Sequence, residues 1–181
     1  MNKMSGKKSD FAFIREDASR TVIGYGLKKL TGENLYEWYE IYIYKTKKSN
    51  IGLKDVKDAI YADINKKTDE KILNGFKWTP AGGEPVNVYL SEENQRNFSE
   101  AQRMAAENSF VLPITFKLGE TDDEQPVYHT FETAEELNSF YLSAFSYINQ
   151  CLNAGWKEKD AIDWSPYEAL FPVPENPNTE Q

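Results

Sequence analysis

The stretch LYEWYEIYIYK, from Leu35 to Lys45, has the most pronounced strand pattern in this chain. Side chains alternate along a strand, so its large residues divide between two sides: Tyr39, Ile41 and Ile43 on one, and Trp38, Glu40, Tyr42 and Tyr44 on the other. Because both sides carry large side chains, we expect each side to be covered by the protein or to form an interface. The stretch predicts a β module in the N-terminal part of the chain.

The residues on either side extend this module. A second strand is predicted over Arg20–Tyr25, with a turn between the two strands at residues 31–34. A helix is predicted over Lys54–Asn65, because apolar residues recur there at helical spacing. The hydrophilic residues Lys66–Glu70 then predict a link, and we expect a domain boundary there.

The C-terminal part predicts two hairpins, each followed by a helix. The four strands are expected over Ile72–Trp78, Pro85–Leu90, Leu112–Leu118 and Pro126–Phe131. Ser91 is a suitable cap for the first helix, which should end at Asn108–Ser109. Thr133 and Glu136 match a capping box for the second.

The second of these helices is long and amphipathic. It is expected over Ala134–Ala154, with Phe140 on its buried stripe and Phe145 at the margin of that stripe. Gly155 is well placed to end it. Together these patterns predict an α+β protein: a small antiparallel β module with one helix (1–67), a hairpin–helix–hairpin–helix domain (68–172), and an extended or disordered tail (173–181).

Composition is that of a globular protein without disulfides. Of the 181 residues, 40% are hydrophobic and 14% aromatic, and Cys151 is the single cysteine. No stretch approaches the roughly 18 consecutive apolar residues of a membrane span, so membrane insertion is not expected. Met1–Asp10 is polar and basic, and no apolar stretch with a cleavage site follows it. We interpret it as a frayed terminus rather than a signal peptide.

Charge is divided unevenly along the chain. The first 71 residues hold 15 basic and 11 acidic side chains, a net charge of +4, and the remaining residues hold 6 and 18, a net charge of −12. An acidic C-terminal part repels phosphates, so nucleic acid is not an expected partner.

Candidate catalytic and metal-binding residues are few. His129 and Cys151 could form a thiol pair, but Cys151 lies on the apolar stripe of the long helix, and no residue orients or activates the pair. One cysteine and one histidine cannot supply a zinc site without several carboxylates. The acidic loop Asp122–Glu124 lacks the ligand spacing of an EF-hand. No catalytic, cofactor-binding or metal-binding residue is therefore predicted.

The aromatic strand is the candidate binding surface. Tyrosine and tryptophan favour interfaces, which makes Trp38, Tyr42 and Tyr44 candidate interface residues. Three interpretations of this strand stay open at this point: a sheet core, a contact with another subunit, or a stacking platform for a sugar.

The region from Leu53 to Tyr167 resembles a domain family of unknown function found in phage and prophage proteins and often encoded near tail and tail-fibre genes. The resemblance lies in eight short segments, which are VKDAI (56–60) with DIN (63–65), ILNGFKW (72–78), VYLSEENQRNF (88–98), LPITFK (112–117) with HTFET (129–133), and YINQCL (147–152) with Gly155-Trp156. The residues of these segments are similar to those of Bacteroides-type members, which often carry a similar aromatic strand upstream.

This resemblance implies no catalytic residues, and it implies a role through protein–protein contacts. We therefore expect a non-catalytic tail or tail-fibre accessory protein, either a virion component or an assembly factor, made in the cytoplasm of the bacterial host. Its expected partners are other phage tail or fibre proteins, or further copies of itself. The alternative is a carbohydrate-binding module for glycans of the host surface.

Overall fold

The computed structural model describes residues 2–31, 34–44, 46–107, 112–121 and 123–172. The predicted α+β class is confirmed, because antiparallel sheets alternate with helices along the chain. The strands are β1 Asn2–Gly6, β2 Ile14–Asp17, β3 Arg20–Lys29, β4 Tyr36–Tyr44, β5 Phe76–Trp78, β6 Val86–Val88, β7 Ile114–Glu120 and β8 Pro126–Phe131. The helices are α1 Leu53–Leu73, α2 Glu92–Glu107, α3 Ala134–Asp160 and α4 Ser165–Glu168, with short 3-10 turns at Lys8–Asp10 and Lys48–Asn50.

The chain divides into two compact units. The first unit contains Met1–Asn65 together with Lys157–Gln181, and the second contains Lys66–Trp156. This division differs from the expected domain 68–172, because the residues after Trp156 belong with the N-terminal sheet.

An antiparallel sheet with the strand order β1-β4-β3-β2 forms the first unit. One side of this sheet packs on the first part of α1, where Val56, Ile60 and Ile64 are fully buried against Ile23 and Tyr25. The helical spacing of these three residues on α1 predicted that stripe, so this part of the helix is confirmed.

The expectation of a frayed N-terminus is wrong. Residues Asn2–Gly6 form the edge strand β1, which pairs with β4 so that Met4 lies opposite Trp38. Lys3 Nζ lies 2.7 Å from Glu37 Oε2 across this pair. The polar sequence of β1 suits an edge strand, which needs no alternating apolar face and is protected by charge.

A β-bulge interrupts β3 after Tyr25. The register against β4 shifts between Tyr25 and Lys28, and Gly26 within the shift has φ +67°. Glycine adopts this left-handed conformation without the steric cost that a side chain brings. The predicted strand at Arg20–Tyr25 therefore corresponds to the regular part of β3, and the bulge lets the strand continue to Lys29.

The segment from Lys157 to Pro172, which we call the C-terminal segment, completes the core of the first unit. Tyr167 is 2% exposed, and its hydroxyl donates a 2.6 Å hydrogen bond to the backbone oxygen of Gly24 on β3. Its ring makes an edge contact with Phe13 at 5.1 Å. These contacts explain why the C-terminal segment groups with the N-terminal sheet.

Helix α1 is longer than the sequence predicted. The expected link at Lys66–Glu70 is helical, and the helix ends only at Leu73. Lysine and glutamate are good helix formers, and Lys66 and Glu70 stand one turn apart with their charged atoms at 3.8 Å. Ile72, expected to begin a strand, is instead a buried residue at the end of this helix.

The second unit contains two hairpins, α2, the end of α1 and α3 as far as Trp156. The hairpins are β5–β6 and β7–β8, and the amide of Tyr89 joins them by donating a 2.8 Å hydrogen bond to the backbone oxygen of Leu118. Their shared core contains Phe98, Phe131 and Phe140, all at most 1% exposed. The predicted order of hairpin, helix, hairpin and helix is confirmed. The expected end of α2 at Asn108–Ser109 lies outside the described residues.

A serine and a threonine hydroxyl cap α2 and α3. The Ser91 hydroxyl accepts a 3.2 Å hydrogen bond from the Asn94 amide, which confirms the cap of α2. At α3 the Thr133 hydroxyl accepts from the Glu136 amide at 3.2 Å, but the Glu136 carboxylate lies 2.8 Å from His129 Nε2. The threonine half of the capping box is therefore formed at α3, whereas the Glu136 carboxylate contacts His129 instead of completing the box.

Gly155 does not end α3, which continues to Asp160. A Cβ atom at Gly155 would lie only 2.4 Å from Thr68 Oγ1, so glycine is needed there for the close approach of another side chain. The same residue type serves as a helix stop elsewhere, and the sequence alone does not distinguish the two uses.

Two phenylalanines on α3 test the importance of its buried stripe. Phe140 is fully buried and Phe145 is 53% exposed. Phe140→Ala should lower the free energy of unfolding by about 3–5 kcal/mol, because it leaves a cavity in the aromatic core. The matched control Phe145→Ala should cost roughly 1 kcal/mol or less. Chemical denaturation monitored by circular dichroism measures both values, and equal losses would contradict this packing.

Candidate functional site

Strand β4 separates the core of the first unit from an outward face. Tyr39, Ile41 and Ile43 pack with the residues of α1, which confirms the alternation predicted for this strand. We call the opposite side the Glu40 face; it carries Trp38, Glu40, Tyr42 and Tyr44 of β4, with Arg15 of β2 and Arg20 of β3.

A buried carboxylate organises this face. The side chain of Glu40 is 4% exposed, and Arg15 Nη2 donates to both of its oxygens at 3.1 and 3.0 Å. Trp38 Nε1 donates to Oε1 at 3.2 Å, and the Tyr42 hydroxyl donates to Oε2 at 2.9 Å. One carboxylate thus fixes three side chains from two strands.

These donors set the charge state of Glu40. Burial raises the pKa of its carboxyl group, but the hydrogen bonds from Trp38, Arg15 and Tyr42 together outweigh burial, so the pKa lies below the usual 4.5. The group is therefore an anion at neutral pH. Its charge is neutralised within the face by Arg15, and Tyr44 is the exposed residue of the four that β4 contributes to the face.

Arg20 lies against two tyrosines of this face. The Arg20 guanidinium lies 3.9 Å from the centre of the Tyr42 ring and 5.9 Å from that of Tyr44, in cation–π geometry. Asp17 holds this arginine through a 2.6 Å contact from Nε to Oδ2. Tyr44 is 63% exposed, so a large aromatic surface stands beside a fixed positive charge.

The three candidate interface residues therefore differ in their surroundings. Trp38 is 3% exposed, because β1 and Phe11 cover its ring, so its assignment as an interface residue is corrected to a core residue of this face. Tyr42 is partly buried, and Tyr44 is exposed. Sequence reasoning did not single out Arg15 and Arg20. Their signal is alternation along β2 and β3, which becomes informative only when the register with β4 is known.

The structure gives His129 and Cys151 separate surroundings. His129 contacts Glu136, and its ring meets the Trp78 ring edge-on at 4.9 Å. Cys151 is buried in the core of the second unit. Neither set of contacts includes the other residue.

The part of the chain that the structure describes carries no candidate metal centre and no candidate membrane span. No group of three or more histidine, cysteine, aspartate or glutamate side chains is placed to hold a metal ion in this part of the chain. None of the helices described is long and apolar enough to cross a membrane. Asp122 of the acidic loop lies outside the described residues.

Residues 55–174 match the model of DUF4376, a domain of unknown function. The chain belongs to the DUF4376 family. Comparisons with curated proteins and with solved structures give no significant match. The matched DUF4376 region begins within α1, so the sheet that carries the Glu40 face precedes it.

The buried Glu40 predicts a pH dependence of stability. Because its pKa is lower in the folded protein, its contribution is present above about pH 4.5 and is lost as the pH falls through the folded value. Glu40→Gln should cost about 1.5–3 kcal/mol at neutral pH and should flatten the loss of stability below pH 4.5. Urea denaturation from pH 7 to pH 3 measures the free energy of unfolding of both proteins.

The control Glu132→Gln changes an exposed carboxylate and should leave the pH profile unchanged. Parallel profiles for the parent protein and Glu40→Gln would contradict the argument.

Proposed function

We propose that this DUF4376 protein is a non-catalytic accessory protein of bacteriophage or prophage tails or tail fibres, and that it acts by protein–protein contacts through the Glu40 face. The phage context rests on the sequence resemblance described above, since the family description itself names no function. The contact function rests on one observation: Tyr44 and Arg20 lie side by side on the Glu40 face. Glu40 holds the neighbouring Tyr42 in place, and Asp17 holds Arg20.

The composition of this face supports a contact role. Tyrosine and arginine are enriched among the residues that dominate binding energy, because each buries a large area and also forms hydrogen bonds. Fixing Tyr42 on Glu40 and Arg20 on Asp17 reduces the entropy that these side chains lose on binding. Charge on the face is balanced locally, which lowers the desolvation cost of covering it.

A second candidate function is glycan binding, and one observation favours it. The exposed Tyr44 ring lies next to the Arg20–Asp17 pair, and an aromatic ring beside polar groups can stack on a sugar while the polar groups bind its hydroxyls. Glycan-array binding that is lost in Tyr44→Ala, with the circular dichroism spectrum retained, would support this candidate over the first.

The contact role is tested by copurification with a matched control. Tyr44 and Tyr128 are both 63% exposed, but Tyr128 belongs to the second unit. A tagged chain should retain a tail or fibre protein of the same phage; Tyr44→Ala should weaken this binding at least tenfold, and Tyr128→Ala should not. Equal effects of the two substitutions would show that the Glu40 face is not the contact surface.

Mass spectrometry of purified particles separates the two forms of the proposed role. Presence in the particle identifies a virion component, and copurification without presence in the particle identifies an assembly factor. If the gene for this protein lies far from any cluster of phage genes, both forms of the proposed role are contradicted. His129→Ala and Cys151→Ser should both leave the function of the protein intact, and a large loss of function in either folded variant would instead favour an enzyme.

A further inference from the structure

A groove of about 690 Å³ lies between β5 and α3 in the second unit, and we call it the α3 groove. Its volume is within the range of about 300–1,000 Å³ that is usual for ligand sites. One wall consists of β5 and the following Thr79. The other wall is a side of α3 that extends from Asn138 to Gln150. The helix rises about 18 Å over these residues, so the groove suits an elongated ligand.

The wall that α3 contributes is exposed and carries no charge. A surface helix usually places charged side chains on its solvent side. In α3, however, no residue from Leu137 to Trp156 is charged. The exposed positions of this wall hold serine, asparagine, glutamine and one leucine instead. Among the described lining residues, Lys77 of β5 is the one charged side chain. Covering such a wall requires little desolvation of ions, which favours an uncharged ligand.

Polar side chains of the α3 groove keep donors and acceptors for a ligand. Asn138 Oδ1 accepts a 3.0 Å hydrogen bond from Gln102, and the two N–H groups of the Asn138 amide remain. Gln150 Nε2 donates to Ser146 Oγ at 3.2 Å. This bond leaves the carbonyl oxygen and one N–H group of Gln150, together with the hydroxyl hydrogen of Ser146. The groove therefore offers neutral donors and acceptors at both of its ends.

Aromatic rings form the apolar part of the α3 groove. Phe76 of β5 stacks on Tyr147 of α3 with 5.4 Å between the ring centroids, and both residues are partly exposed. The Tyr147 hydroxyl donates a 3.1 Å hydrogen bond to the backbone oxygen of Lys71, which fixes this ring. Leu142, which is 53% exposed, and Trp78 extend the apolar lining. The groove thus places fixed apolar groups beside hydroxyls and amides.

We propose that the α3 groove binds a neutral oligosaccharide. A sugar has the same two kinds of surface as the groove: C–H groups that pack on aromatic and aliphatic side chains, and hydroxyls that donate and accept hydrogen bonds. Serine hydroxyls and the amides of Asn138 and Gln150 also donate and accept. A protein partner fits less well, because serine is depleted in protein–protein interfaces and three serines line this groove.

The α3 groove is separate from the Glu40 face. Its lining residues all belong to the second unit and to the matched region 55–174, whereas the Glu40 face precedes that region. Sugar binding in the groove is therefore independent of the proposed tail contact, and either can fail without the other.

Titration of the full chain with three neutral trisaccharides tests this site. The probes are maltotriose, cellotriose and triacetylchitotriose, and the control is the neutral blocked peptide acetyl-trialanine methylamide. At least one sugar should shift the amide NMR signals of Lys77 and Ser146 in a saturable way, with a dissociation constant on the order of 1 mM. The peptide should give no saturable shift. Absence of a saturable shift with all three sugars, or equal binding of the peptide, would overturn the proposal.

Matched variants of α3 provide the second arm, measured with the sugar that binds most tightly. Ser146 and Asn153 are both exposed on α3, and Ser146 alone of the two lines the groove. Ser146→Arg places a long charged side chain in the groove and should weaken binding at least about tenfold. Asn153→Arg adds the same charge outside the groove and should leave the affinity unchanged. Circular dichroism establishes that both variants fold.

Gln150→Ala is a milder test of the same wall, because it removes hydrogen bonds without adding bulk. It should weaken binding about fivefold. Equal affinities of Ser146→Arg and Asn153→Arg would overturn the proposal. Binding that is lost in Tyr44→Ala and retained in Ser146→Arg would assign the sugar to the Glu40 face and would also overturn it.

Discussion

The hydrogen bond from the Tyr167 hydroxyl to the Gly24 oxygen is the constraint on which the first unit depends. It joins residues 143 positions apart in the sequence, and both partners are buried. A buried backbone oxygen without a donor is costly, and so is a buried hydroxyl without an acceptor, so each partner requires the other. This bond also places the C-terminal segment near the bulge of β3, and residues of both line a cavity of about 350 Å³.

A second constraint shapes the other side of the same sheet. A carboxylate with the exposure of Glu40 would normally be destabilising, and here it is stabilised because donors from two strands converge on it. The result is that the two sides of β4 differ in kind: one side packs on a helix through apolar contacts, and the other is held together by polar contacts. The second side presents the exposed Tyr44 ring next to Arg20, which is why we propose the contact role for it.

The spacing of apolar residues over short stretches of sequence was sufficient to predict much of this fold. Alternation in β4, the stripe of α1 and the order of hairpins and helices all depend on residues close together in sequence. The edge strand β1, the glycine at position 155 and the position of the C-terminal segment depend on partners far away in sequence. No local pattern in the sequence indicates that Lys3 pairs with Glu37 or that Thr68 lies close to Gly155. The candidate surface was found through Tyr42 and Tyr44, but Trp38 was misassigned because burial is decided by the covering residues, and Arg15 and Arg20 required the register of the sheet.

The claim that the first unit is completed by the C-terminal segment can be measured directly by amide hydrogen exchange. A chain that ends at Ala161 lacks Tyr167, and a chain that ends at Pro172 retains it. We predict that the amides of Ile23 and Tyr25 lose protection in the shorter chain and keep it in the longer one, while the amides of β7 and β8 serve as an internal reference. Equal protection of Ile23 and Tyr25 in the two chains would contradict the account.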